Sequence, residues 1–211
     1  MINAGVHYGP KDFPAQIYDI DGDGSLELLC VSRGKFLVLD GKTGSVKEEH
    51  ALPDPEAHDC IIIANLSGNP HPSDIILKNR YEKLWALDRS FNVLWTHAGN
   101  VGHFPWAYDI NGDGFDEVMA GYDMLDHNGK IMWSCRDLTD HADCLWTGDV
   151  NGDGKKEIVV GGGKDDVIVY DATKAVIFSG TEYDLTSTPS GKAIPQPRRL
   201  YSSTLYPGGD Y

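Results

Sequence analysis

The sequence predicts an all-β fold: a β-propeller with four recognisable four-stranded blades. Three observations predict it: an acidic motif that returns about every forty residues, short β-branched and aromatic runs bounded by turn residues, and 24 glycines with 11 prolines. Propellers close with typically four to eight blades. The chain is therefore a small closed ring, a fragment of a larger ring of about eight blades, or half of a ring completed by a second copy, and we expect the fragment.

The motif sets the frame. Tyr18-Asp-Ile-Asp-Gly-Asp-Gly-Ser-Leu-Glu27 returns as Tyr108-Asp-Ile-Asn-Gly-Asp-Gly-Phe-Asp-Glu117 and as Gly148-Asp-Val-Asn-Gly-Asp-Gly-Lys-Lys-Glu157. A worn copy, Asn65-Leu-Ser-Gly-Asn69 followed by Asp74, fills the gap and gives spacings of 46, 44 and 40 residues between Asp19, Asn65, Asp109 and Asp149. That period suits one blade.

Four strands per repeat follow from the apolar runs between turns. The first repeat gives strands over 15–20, 26–32, 35–40 and 45–50, and the second over 60–66, 74–79, 83–88 and 93–98. The third gives 105–110, 117–121, 122–127 and 130–135, and the fourth 142–150, 157–162, 167–171 and 175–179. The blades thus run over about 15–50, 58–98, 103–135 and 141–180, and residues 181–211 form a polar tail or the truncated beginning of another blade. The run Ile61-Ile-Ile63 is apolar enough for a strand covered on both faces. Asp40, Asp88, Asp126 and Asp171 each begin the turn between third and fourth strands, where an aspartate accepts local backbone hydrogen bonds. Trp95 and Trp133 recur on the fourth strand and are expected to pack between blades.

The acidic loops carry oxygen at alternate residues, as a calcium shell of six or so hard ligands requires. The first would use Asp19, Asp21, Asp23, the Ser25 carbonyl and Glu27; the second Asp109, Asn111, Asp113, the Phe115 carbonyl and Glu117; the third Asp149, Asn151, Asp153, the Lys155 carbonyl and Glu157. The worn copy keeps oxygens at Asn65, Ser67 and Asn69 but has no carboxylate before Asp74, so no ion is expected there. We expect about three Ca2+ ions with a structural role, tethering first strand to second and neutralising crowded carboxylates. The loop is shorter than an EF-hand and strands follow it, so neither an EF-hand nor a dockerin fits.

A net charge of −14 disfavours nucleic acid and anionic membranes. No apolar run reaches the roughly 18 residues of a membrane helix, so no membrane insertion is expected. The opening Met-Ile-Asn-Ala-Gly lacks the charged and apolar regions of a signal peptide, and the chain reads as a mature form or a fragment. Cys30, Cys60, Cys135 and Cys144 form no C-x-x-C pair and read as buried thiols.

The string from Gly102-His-Phe-Pro-Trp-Ala through Tyr108-Asp-Ile-Asn-Gly-Asp-Gly-Phe-Asp-Glu117 to Tyr122, then Leu125-Asp-His-Asn-Gly-Lys-Ile-Met-Trp133 and Asp140-His-Ala-Asp143, resembles calcium-rich propeller proteins related to family 11 rhamnogalacturonan lyases. The similarity spans roughly Tyr18 to Asp171. It implies larger propellers, secretion to the extracellular space, an acidic pectin-type polysaccharide as partner and β-elimination beside a uronate. Such chemistry needs a cation at the carboxylate and a base for the adjacent proton.

His58, His103 and His141 precede successive first strands at 7, 6 and 8 residues before Asn65, Asp109 and Asp149, so strands lining the axis would gather them at one mouth. Histidine suits the base, and tyrosine can return a proton to the leaving oxygen. Lys78-Asn-Arg80-Tyr81 adds cations and a phenol that could receive an acidic sugar. Two bland readings stand beside these: histidines that cap loops against Asp59 or Asp143, and a solvated strand end at Lys78 to Tyr81. A second functional reading is a non-catalytic carbohydrate-binding or adhesion propeller of the integrin type, whose F-G and G-A-P signatures are not evident. A quinoprotein is a third, prompted by Asp40-Gly-Lys-Thr-Gly44, though the expected tryptophan does not follow.

Overall fold

Successive residues of a strand point to opposite faces, so a strand apolar at every position needs a neighbour on both sides. The computed structural model, which describes residues 14–134, 142–149, 152, 156–162, 166–170 and 175–179, supplies those neighbours by setting four-stranded sheets face to face. The first sheet pairs β1 (Ala15–Tyr18), β2 (Glu27–Ser32), β3 (Lys35–Asp40) and β4 (Val46–Ala51) in sequence order. The second holds β5 (Cys60–Ala64), β6 (Asp74–Lys78), β7 (Lys83–Leu87) and β8 (Val93–Ala98). The third holds β9 (Trp106–Tyr108), β10 (Glu117–Ala120), β11 (Asp123–Leu125) and β12 (Ile131–Ser134). The fourth holds β13 (Ala142–Gly148), β14 (Glu157–Gly162), β15 (Asp166–Tyr170) and β16 (Ala175–Ser179). Every pairing is antiparallel.

The first strands of neighbouring sheets contact one another, β1 with β5, β5 with β9 and β9 with β13. They are the inner strands, while the fourth strands β4, β8 and β12 are largely exposed. The sheets are blades of a β-propeller, as the sequence predicts.

Side-chain alternation divides the core between blades. Ile61, Ile63, Ile75, Leu77, Trp85 and Leu87 face the first blade, packing on Leu29, Val31, Phe36 and Val38. Ile62, Ile76, Leu84 and Ala86 face the third blade, packing on Ala107, Val118, Ala120 and Leu125. Each buried isoleucine or leucine contributes roughly 1.5–3 kcal/mol relative to exposure. Met119, Met124, Leu145, Ile158 and Val160 join the third blade to the fourth. Trp95 packs against the cluster between second and third blades and Trp133 against that between third and fourth, in the role expected of them. Cys30 and Cys60 are free and buried, and burial pushes the Cys30 thiol up to about 11. Cys135 and the Cys144 side chain lie outside the described residues, as do residues 181–211.

Two regularities fall outside the strand reading. The first strands end earlier than predicted, at Tyr18, Ala64, Tyr108 and Gly148. In three blades the next backbone donor turns to a side chain: the Ile20 and Ile110 N–H groups donate to Glu27 and Glu117, and that of Leu66 to Asp74. The pairing of third with fourth strand also slips once in each of the first three blades, leaving Lys47, Leu94 and Met132 as the extra residues.

Candidate metal loops and an inter-blade cavity

Carboxylates that must converge on one point need a backbone that turns sharply around them. The glycines allow this: Gly22 and Gly24 have φ of 73° and 85°, and Gly112 and Gly114 of 80° and 92°, values an L side chain resists.

In the first loop Asp19 accepts from the backbone N–H of Asp23 at 3.0 Å and of Gly24 at 2.9 Å, and Asp23 accepts from Ser25 N–H at 2.7 Å. Glu27 is buried, and its Oε2 accepts from Ile20 N–H at 3.1 Å. Oxygens of Asp19, Asp21 and Glu27 lie within 4.8 Å of one another, a group able to hold a cation. The third blade repeats the pattern. Asp109 accepts from Gly112, Asp113 and Gly114, Asp113 from Phe115, and Glu117 from Ile110 at 3.0 Å. In the fourth, Asp149 accepts from Gly152 N–H at 2.6 Å and Glu157 is buried, whereas Asn151, Asp153 and Lys155 lie outside the described residues.

The charge environments differ. Lys47 on β4 places its ammonium 2.8 Å from Asp21, 2.8 Å from Glu27 and 3.6 Å from Asp23. The Lys47 hydrogen bond holds the Asp21 carboxyl below its ordinary value. In the third blade the amide of Asn111 donates to Asp113 and Glu117. Burial, with Asp113 and Asp109 nearby, pushes Glu117 up to about 7. A divalent ion there would relieve that crowding.

The worn copy is built differently. Asp74 accepts from Leu66 N–H and Ser67 N–H, both at 2.7 Å, and from the Ser67 hydroxyl at 2.9 Å, so backbone and hydroxyl take the carboxylate. Asn65 docks on the neighbouring acidic loop: its N–H donates to Asp116 at 2.8 Å, its amide to the Gly114 carbonyl at 2.9 Å, and its carbonyl accepts from Asp116 N–H at 2.8 Å. The loops therefore form a chain of contacts around one end of the blades. His71, reaching the Asp19 carbonyl at 2.5 Å and stacked on Tyr18 at 5.3 Å, links the worn loop to the first. Sequence reasoning missed Lys47, His71 and Asp116, because only Asp116 falls within the repeated motif and none of the three recurs.

The strands then run to the opposite end, where the turn between β6 and β7 meets the segments that enter β5 and β9. A cavity of about 310 Å³ is lined there by Glu56, His58, Asn79, Arg80, Tyr81 and Glu82. Tyr81 is its centre: the Arg80 guanidinium lies 5.4 Å from the ring and donates to the hydroxyl at 3.2 Å. His103 Nε2 is 3.4 Å from the same hydroxyl, with the two rings edge to face at 4.9 Å. The backbone fixes this grouping, since Val101 N–H donates to the Tyr81 carbonyl at 2.8 Å and His103 N–H to the Ala142 carbonyl at 2.9 Å. Arg80, Tyr81 and His103 come together, His58 shares the cavity with the first two, and His141 lies outside the described residues.

One expectation needs correction. Lys78 is not a cation offered to a ligand: it is fully buried, and its ammonium donates to Asp59 at 2.5 Å and to the carbonyls of Asn79 and Arg80. Its charge is spent on shaping the turn that carries Arg80 and Tyr81. Asp59 holds that ammonium through one carboxylate oxygen.

An all-β run of propeller blades, with acidic corners at one end and at the other a cavity lined by a guanidinium, a phenol, an imidazole and two carboxylates, defines the class of the molecule. Comparison with known proteins then narrows it. A stretch of 69 residues is 39% identical to rhamnogalacturonan endolyase YesW of Bacillus subtilis, covering 33% of this chain and 11% of that protein. The crystal structure of YesW superposes with a TM-score of 0.62 at 24% identity, over 81% of this chain and 39% of that one. The rhamnogalacturonan lyase PL11 of Bacillus licheniformis gives 0.60 at 22%, over 81% and 39%. The biofilm matrix protein Bap1 of V. cholerae gives 0.64 at 22%, over 79% and 28%. No protein-family model matches the chain. A third of the chain is thus similar in sequence to a rhamnogalacturonan endolyase and most of it is similar in fold to solved rhamnogalacturonan lyases, and it spans about a tenth of the curated relative and about two fifths of those solved structures. No helix among the described residues is long and apolar enough to cross a membrane.

Proposed function

We propose that this chain is a calcium-stabilised β-propeller that receives an acidic plant polysaccharide and cleaves it by β-elimination in the manner of the rhamnogalacturonan lyases. The observation that carries the reading is the convergence of Arg80, Tyr81 and His103 on one phenolic hydroxyl beside a cavity. The guanidinium would neutralise the uronate carboxylate, which makes the proton on the adjacent carbon easier to remove. A histidine, His103 or His58, would take that proton. The carbon–oxygen bond to the next sugar would break as the double bond forms, and Tyr81 would return a proton to the leaving oxygen. His141, placed by its spacing at the next first strand, would join them.

About three Ca2+ ions at the acidic loops would serve the fold rather than the reaction, because the loops stand at the far end of the strands from the cavity. Extracellular location and completion of the ring by further blades, or by a second copy of the chain, go with this reading. Support for a larger ring comes from the fraction of the solved relatives that the chain spans.

The test is to incubate the chain with rhamnogalacturonan in calcium buffer and follow ultraviolet absorbance of unsaturated uronate. A rising trace is expected, abolished by boiling. A flat trace accompanied by saturable binding would instead establish the second reading, a non-catalytic carbohydrate-binding or adhesion module. That second reading draws on the likeness to Bap1 and on the small share of a whole lyase present here.

A further inference from the structure

The first acidic loop differs from the others in one respect that its own neighbours explain. Where the third and fourth blades carry Asn111 and Asn151, the first carries Asp21, an added carboxylate. Where the third blade's fourth strand has Met132 at its extra residue, the first has Lys47. Met132 is exposed and has no donor, whereas the Lys47 ammonium lies within hydrogen-bond distance of both Asp21 and Glu27. Glu27, buried at 1% exposure, is aimed into the loop by its bond from Ile20, so one oxygen is committed and the other faces the lysine.

We infer that Lys47 is a tethered cation that holds the first blade's corner closed without metal, so that this loop takes a divalent ion only by displacing the ammonium. The inference rests on the calcium reading of the acidic loops and adds a hierarchy to it. The third blade's loop, which has Met132 where the first has Lys47, takes calcium before the first blade's loop does. The slip between β3 and β4 is what makes the device possible, because an extra residue at the strand edge turns a side chain toward the loop that an unbulged pairing would leave outside. Displacing Lys47 breaks two charge-assisted hydrogen bonds, so its presence should weaken calcium at this loop by about tenfold, the range of a partly exposed ion pair with one buried partner.

The experiment is calorimetric titration of the metal-stripped full chain with calcium chloride, comparing wild type with Lys47→Met, the side chain that the third blade carries. Wild type should show a tighter class and a weaker class. Lys47→Met should tighten the weaker class by about tenfold while leaving the tighter class unchanged, and should lower the melting temperature in the absence of metal. Asp113→Asn assigns the classes by weakening the tighter one. Unchanged affinity of the weaker class in Lys47→Met would overturn the role of Lys47 and leave the calcium loops standing. No heat of binding in either protein at millimolar calcium would overturn both.

Discussion

Arg89 donates to both oxygens of Glu48, at 2.9 and 2.6 Å, joining the hairpin of the second blade to the outer strand of the first. The same guanidinium reaches the Ile20 carbonyl at 3.2 Å, at the edge of the first acidic loop. The apolar packing between these two blades has no direction of its own, and this pair adds a directional contact, as do the bonds from Gln16 to the Ile61 carbonyl and from the Tyr18 hydroxyl to the Pro72 carbonyl.

Arg89 holds the Glu48 carboxyl down to about 2. A carboxylate whose folded value is depressed contributes stability above its unfolded value, here 4.5, and loses it as pH falls toward 2. Both side chains are about a third exposed, so solvent screening limits the pair to about 1 kcal/mol. Glu48→Gln should be less stable than wild type by about that amount at pH 7. The difference should vanish near the acid end of the window, as measured by urea unfolding at stepped pH.

Glu117 titrates in the opposite sense. Its folded value of about 7 lies above the ordinary 4.5, so the metal-free protein binds this proton more tightly folded than unfolded. That contribution is complete below 4.5 and is lost as pH rises through 7. Metal-stripped protein should therefore melt higher near pH 5 than near pH 8 relative to Glu117→Gln, which lacks the titration. Calcium should restore stability at the higher pH, where the carboxylate is charged.

Chelation tests the acidic loops together. Removing calcium should lower the melting temperature by several degrees or more, because a ligand bound to the folded state alone stabilises it by mass action. Coincident melting curves with and without excess chelator would end the structural role of calcium.

Gly68 tests the coupling between neighbouring loops. It has φ of 71°, and a Cβ there would lie 2.6 Å from the ring of Phe115. That ring also stacks on His127 at 4.2 Å, so it has little room to retreat. Gly68→Ala should cost about 1–3 kcal/mol in denaturant unfolding, and part of the loss should appear as weaker calcium binding at the third blade.

Tyr81 and Arg80 test the cavity. Tyr81→Phe keeps the ring against His103 and removes the proton, so turnover of rhamnogalacturonan should fall by about a hundredfold with little change in melting temperature. Arg80→Met should raise KM more than it lowers kcat if its part is to bind the carboxylate.

Much of the blade plan was legible in the chain. Ile61 to Ile63 announced a strand buried on both faces, and the structure sends Ile61 and Ile63 to one neighbour and Ile62 to the other. The strand ends beside the acidic loops were overrun, because Glu27, Glu117 and Asp74 capture backbone donors that an extended strand would offer to the ladder. Lys78 read as an available cation, since nothing local says that Asp59 will fold over it.

The repeat by itself determined that this protein is all-β, where its four blades begin, and which corners gather carboxylates, since periodicity and turn chemistry act within a few residues. Only the tertiary structure decided which cation faces each corner and which side chains meet across blades. Lys47 against Glu27, Arg89 against Glu48 and Tyr81 against His103 are partners 20 to 41 residues apart. Lys47 meets Glu27 within one sheet, beside the slip between β3 and β4, whereas the other two pairs meet only where one blade is stacked on the next, and no local pattern in the chain encodes either.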